Sequence, residues 1–116
     1  MSSPALTLVA VHGNGGGAHR FARVEPFVPG DVRFRPVTLP GFAAVPRDPS
    51  LTSLRSYADR LRGFVEMEPR PRVVLGHGIG GSIALELAQF AAPVMDGLIL
   101  HAPVGARLGS RVFPRL

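Results

Sequence analysis

The stretch Val73-Val74-Leu75-Gly76-His77-Gly78-Ile79-Gly80-Gly81-Ser82 constrains this chain more than any other. It opens as a short run of branched apolar residues, which reads as a strand stopped at Gly76. From Gly80 to Phe90 the pattern changes to a segment apolar almost all round (Ile83, Ala84, Leu85, Leu87, Ala88), which reads as a buried helix. Strand and helix are therefore joined by a turn nearly devoid of side chains. A turn this sharp brings the helix close against the strand, and small residues at Gly76, Gly80, Gly81 and Ser82 leave room for that approach. Glycine at 78 adopts turn conformations that other residues avoid, without steric cost.

The rest of the chain alternates in the same way. Leu6 to Val11 is a branched apolar run ended by His12-Gly13, and Gly97 to Leu100 is another, ended by His101-Ala102-Pro103. Val32 to Leu39 is a weaker, partly alternating strand ended by Pro40-Gly41. Three of the four runs are continuously apolar, which suits strands covered on both faces. Between them, Leu51 to Met67 carries apolar residues at helical spacing (Leu54, Tyr57, Ala58, Leu61, Phe64, Val65), with Ser53 as cap and Pro69 and Pro71 as terminators. Ala18 to Val24 reads as a short helix before Pro26. Strands alternating with helices imply a parallel sheet with right-handed crossovers. The expected class is thus α/β, a three-layer parallel sheet of about four strands with flanking helices. A chain of 116 residues makes one small domain.

Composition removes several function classes. There is no cysteine, which excludes disulfides, thiolate metal sites and a cysteine nucleophile, and fits a reducing compartment. The net charge is +5, and all 13 basic residues are arginine. They are scattered through loops and helix faces without a dense block interleaved with aromatics, so a solvated basic surface is expected rather than a nucleic-acid site. Met1-Ser2-Ser3-Pro4 puts no basic residue ahead of the apolar run from Ala5 to Val11, which is too short for a signal peptide. No stretch is long enough to span a bilayer. The expected setting is cytoplasmic, without membrane or nucleic-acid partners.

Two chemical readings come directly from the residues. Gly76-x-Gly78-x-x-Gly81 matches the dinucleotide-binding fingerprint after a strand and at the opening of a helix. That reading needs an acidic residue at the end of the next strand, about 20 residues on, to hold a ribose. The next strand ends in His101-Ala102-Pro103, and Asp96 lies at its other end. The second reading notes that His12, His77 and His101 all fall at strand ends, where three imidazoles would suit a metal. Satisfied loop histidines are the expectation, with no metal and no cofactor.

Four linked motifs together resemble the α/β-hydrolase family. Leu8-Val9-Ala10-Val11-His12-Gly13 with its glycine-rich loop is similar to the family's oxyanion strand and loop, and Val37-Thr38-Leu39-Pro40-Gly41-Phe42 to its strand-end D-L-P-G-x turn, with Thr38 in place of the Asp. Val73 to Ser82 resembles its G-H-S-x-G-G nucleophile elbow, and Gly97 to Pro103 the following strand. The resemblance implies strand order 2-1-3-4 and hydrolysis of an ester, thioester or related bond in a small-molecule substrate. It makes the backbone N–H groups of Asn14 and Ile79 the oxyanion-type donors. It makes His12, Gly13 and His77 site-loop residues, with both histidine side chains turned into loop packing.

The chain departs from that pattern at its chemical centre. Gly78 stands at the nucleophile position and has no side chain to attack with. Ser82 lies one helical turn on and is expected to be a small packing residue. In the family the acid and base follow later strands, so residues 1–104 read as a partial core. Residues 105–116 read either as a loose extension or as the start of a missing cap. The chain as written is expected to lack nucleophile-dependent hydrolysis. The alternatives are a non-catalytic homologue that binds a small anion and a dinucleotide-binding module. Leu98, Ile99 and Leu100 would form an exposed apolar edge, expected to drive self-association or poor solubility.

Overall fold

The computed structural model describes residues 4–104. The branched runs become four strands: β1 (Leu6–Val11), β2 (Val32–Val37), β3 (Arg72–His77) and β4 (Gly97–His101). All neighbours pair in parallel, in the order β2-β1-β3-β4. The order is the one the family resemblance implies. Register places Leu8 beside Phe34 and Val73, and Val9 beside Val74. It also sets His77 directly beside His101 at the carboxyl end of the sheet.

Two α-helices cross over between strands, α1 (Leu54–Glu66) after β2 and α2 (Ile79–Ala91) after β3. Helix α1 starts at Leu54 with Ser53 as its cap, as expected, and Ser53 and Ser56 cap it reciprocally. Ser56 donates its backbone N–H to the Ser53 hydroxyl at 3.0 Å, and the Ser53 N–H is accepted by the Ser56 hydroxyl at 3.0 Å. Helix α2 begins one residue earlier than expected, immediately after Gly78. The expected helix from Ala18 to Val24 is instead split into two 3₁₀ turns, Ala18–Phe21 and Glu25–Phe27.

The core lies on one face of the sheet. Val9, Val11 and Val74 point toward α1 and α2 and meet Leu61, Val65, Ile83, Ala84 and Leu87. Leu61 and Leu87 are fully buried, which is worth roughly 1.5–3 kcal/mol for each side chain. The two helices are joined further by the Arg55 guanidinium, 3.5 Å above the Phe90 ring centroid. The opposite face, carrying Leu8, Phe34, Val73 and Leu75, has thinner cover. There the first 3₁₀ turn sets Phe21 edge-on to Phe34 at 6.0 Å. No helix of the described residues is long and apolar enough to cross a membrane.

At β4 two expectations diverge. Its apolar run suits a strand covered on both faces, whereas Ile99 at 49% and Leu100 at 37% exposure follow the exposed apolar edge expected there. The reason is geometric. Ile99 pairs with Leu75 and so belongs to the thinly covered face, where the first 3₁₀ turn packs mainly on β1 and β2. Leu98, beside Val74, packs against the core. Within the described residues β4 is also an edge strand, so it presents apolar side chains together with unpaired backbone groups. The 116-residue chain is therefore predicted to self-associate or precipitate as its concentration rises. Light scattering across a dilution series checks this, and a monodisperse monomer at high concentration contradicts it.

Candidate active site

The site is built where β3 turns into α2. Gly78 adopts φ 57° and ψ −125°, in the region that L side chains rarely occupy, and caps the N-terminus of α2. Its N–H donates to the His101 carbonyl at 3.0 Å, and its carbonyl accepts from Gly81 and Val104 at 3.0 and 3.1 Å. The tip of the turn is thus tied to both α2 and the end of β4. The flanking glycines leave no room for substitution. A Cβ on Gly76 would lie 2.6 Å from the Gly80 carbonyl oxygen, and one on Gly80 would lie 2.6 Å from that of Val11. A Cβ on Gly78 would meet only Gly13 Cα, at 3.4 Å. The tip is therefore strained but sterically open, whereas its neighbours are closed.

His12 holds the adjoining loops. It is fully buried, and its ring contacts Phe42 at 4.7 Å between centroids. Nε2 accepts the Leu39 backbone N–H at 3.0 Å, and Nδ1 lies 2.9 Å from the Gly13 carbonyl. An N–H only donates and a carbonyl only accepts, so the ring must be neutral with its proton on Nδ1. Burial pushes its pKa below the usual imidazole value, against the smaller opposing effect of the Gly13 carbonyl. Both nitrogens are engaged, which takes His12 out of any metal set with His77 and His101. Thr38, at the position where the resembled turn carries Asp, accepts the Ala18 N–H at 2.8 Å and so anchors the first 3₁₀ turn.

A cavity of about 490 Å³ opens over the turn. Gly13, Asn14, His77, Gly78 and Ile79 line it, as the sequence reading implies for a site, and so does Arg20. Ile79 is the first residue of α2, where backbone N–H groups lack intrahelical partners and the helix dipole favours negative charge. His77 departs from expectation. Unlike His12 it is exposed; its ring lies over Gly13 and meets His101 edge to edge, with ring centroids 4.8 Å apart and Nδ1 to Nδ1 at 2.8 Å. His101 joins the cavity lining, a site residue that the sequence reading considered only as a metal ligand. Its place follows from the register that pairs β3 with β4.

Two other candidates fall outside this cavity. The Ser82 hydroxyl donates to the Val104 carbonyl and lines a separate depression with Gln89, so it works as a strut and not simply as a small packing residue. Asp96 sits at the opposite end of β4. It accepts the Arg72 N–H at 2.9 Å and pairs with Arg70 at 2.8 Å, and these contacts, the Arg72 N–H first, hold its carboxyl below the usual range. It tethers the starts of β3 and β4 and is not placed to hold a ribose at the turn.

Replacing His12 with Phe leaves the Leu39 N–H buried without an acceptor, and is predicted to destabilise the fold by about 1–3 kcal/mol at pH 8. Because the folded His12 resists protonation, the unfolded chain binds more protons just below pH ~6.5, and this part of the stability is lost as pH falls. The gap between wild type and His12→Phe should therefore narrow from pH 7.5 to 5.5 in urea denaturation. A gap that widens would contradict the neutral assignment.

Comparisons with known proteins agree with this geometry. The Alpha/beta hydrolase family model matches residues 8–116. A pimeloyl-[acyl-carrier protein] methyl ester esterase of Aromatoleum aromaticum is 36% identical over 83 residues, which cover 71% of this chain and 31% of that protein. An esterase from Exiguobacterium antarcticum superposes with a TM-score of 0.77 at 17% identity, over 90% of this chain and 40% of that one. A thioesterase of the prodiginine pathway in Streptomyces coelicolor gives a TM-score of 0.69 at 20% identity, over 89% and 45%. The chain spans less than half the length of each of these relatives. With the β3–α2 turn, the strand order and the family match in agreement, the chain belongs to the α/β-hydrolase family.

Proposed function

We propose that this chain carries the elbow half of a site for hydrolysing an ester, thioester or related bond in a small molecule, and that with Gly78 at its tip it performs no serine-type acyl transfer. The observation that carries the reading is the Gly78 backbone itself. It has the strained, sterically open geometry of a nucleophile position but no atom with which to attack. The Asn14 and Ile79 N–H groups would be the oxyanion donors of such a site, beside a cavity of suitable size for a small acyl group. The acid and base would be supplied from outside residues 1–116, in keeping with relatives about twice as long. The reading includes residues 1–104 as a partial core and a cytoplasmic setting without nucleic-acid partners. Residues 105–116, read as an extension or as the start of a cap, lie outside the described residues.

A second reading is favoured by one observation. Among the described residues lining the cavity, Arg20 is the one formally charged side chain and no carboxylate is present. A small carboxylate held at the α2 N-terminus without turnover fits that lining. The dinucleotide alternative has less support, since Asp96 is tied to Arg70 and Arg72 at the far end of β4.

Labelling with a fluorophosphonate probe tests the main reading. The wild-type chain should stay unlabelled, and so should Gly78→Ser alone. Labelling is expected only when Gly78→Ser is combined with a downstream half from a relative. A labelled wild-type chain would refute the loss of serine-type chemistry.

A further inference from the structure

The histidine pair at the cavity mouth is unused by the reading above. His77 and His101 end neighbouring strands in direct register, and their rings meet edge to edge, 25° from coplanar, with Nδ1 atoms 2.8 Å apart. Both rings are exposed and both line the cavity beside Gly78. A contact this short between ring nitrogens needs one proton shared between them. One ring is therefore the donor, with its proton on Nδ1 and a bare Nε2, and the other accepts. The ring edges are not equivalent. His77 leans over Gly13, where a Cβ would stand 2.9 Å from His77 Cδ2 and 3.4 Å from its Nε2. The Nε2 of His77 thus faces the loop that carries Asn14.

We propose that His77 and His101 form an imidazole dyad that hydrolyses activated aryl esters, with His77 Nε2 as the attacking atom and His101 as the residue that positions it. Gly78 enters only by leaving space. With no side chain at the tip, an acyl group can settle between His77 and the N-terminus of α2. In the productive arrangement His77 donates its Nδ1–H to His101 Nδ1. His77 Nε2 adds to the ester carbonyl carbon, and negative charge on the oxygen is met by the Ile79 N–H. The carbon–oxygen bond to the aryl group breaks and phenolate leaves. The acylated His77 gives its Nδ1 proton to His101, which becomes an imidazolium, and that proton passes on to the phenolate, directly or through water, leaving His101 neutral. Water then adds to the acyl carbon of the neutral acyl-imidazole and the carboxylic acid departs, restoring both neutral rings. The net change is ester plus water to acid plus phenol. His101 plays toward His77 the role that an orienting acid plays toward the base of a triad.

The test uses 4-nitrophenyl acetate at neutral pH with the whole 116-residue chain. Free imidazole at equal concentration is the reference, and His19→Ala is the control for an exposed histidine off the cavity. Wild type and His19→Ala should both exceed the reference by roughly 10²-fold, the lower range for a positioned proton-transfer group. His77→Ala should fall to the reference rate, and His101→Phe should fall at least ~10-fold. A second readout needs no turnover. Long-range proton–nitrogen correlation should show His77 as the Nδ1–H tautomer in wild type and as Nε2–H in His101→Phe. Wild-type turnover no faster than imidazole, full turnover in His77→Ala, or an Nε2–H tautomer at His77 in wild type would each overturn the dyad. Fluorophosphonate labelling would refute the serine-free elbow without touching this proposal, so the two fail separately.

Discussion

The structure depends on how closely the start of α2 approaches the backbones of β1 and β3. Gly76 and Gly80 stand where a Cβ would collide with main-chain atoms, Gly80 with the Val11 carbonyl at 2.6 Å and Gly76 with Gly81 Cα at 2.6 Å, and a Cβ on Gly81 would press on Pro103 at 3.0 Å. Glycine costs about 0.5–1 kcal/mol relative to alanine inside regular structure. That cost is offset by seating the helix directly on the sheet. Once seated, α2 buries Ile83, Ala84 and Leu87 over Val9, Val11 and Val74, and it presents α1 with a wall to pack on. The same seating carries the chain through Gly78 at positive φ and brings Ile79, the first residue of α2, to the cavity wall.

Around that contact, the loops are fixed by a few polar atoms that bond across them. His12 ties the loop after β1 to the one after β2, and Thr38 ties the latter to the first 3₁₀ turn. Val104 and His101 tie β4 to the elbow through the Gly78 peptide groups. The cavity is therefore bounded on each side by segments held by the sheet. What Gly78 removes is a side chain and not the frame, and the neighbouring histidines inherit the open ground.

Much of this was legible because the governing features are local. The four branched runs, the Ser53 cap and the glycine cluster lie in short windows of sequence, and the structure differs there by a few residues at element ends. The strand order came with the family resemblance, carried by motifs at the strand ends. The histidines were harder. His12 and His77 look alike, each ending a strand before a glycine, yet one is buried with both nitrogens engaged and the other is exposed against His101. Only the register of β3 on β4 separates them, and no local pattern encodes it. At β4 the apolar run by itself pointed away from the exposed edge expected at Leu98 to Leu100. An apolar run reports that a strand is suited to burial, but not whether a covering layer reaches it.

The most direct measurement of the central claim is a crystal structure of Gly78→Ser. If the elbow frame is intact and only its nucleophile is missing, residue 78 should keep a positive φ near 57°, with the new hydroxyl projecting into the cavity beside Gly13 and α2 unmoved. A φ relaxed to negative values, or α2 displaced from β1 to make room, would mean that the turn holds its shape because residue 78 is glycine, and the account would fail.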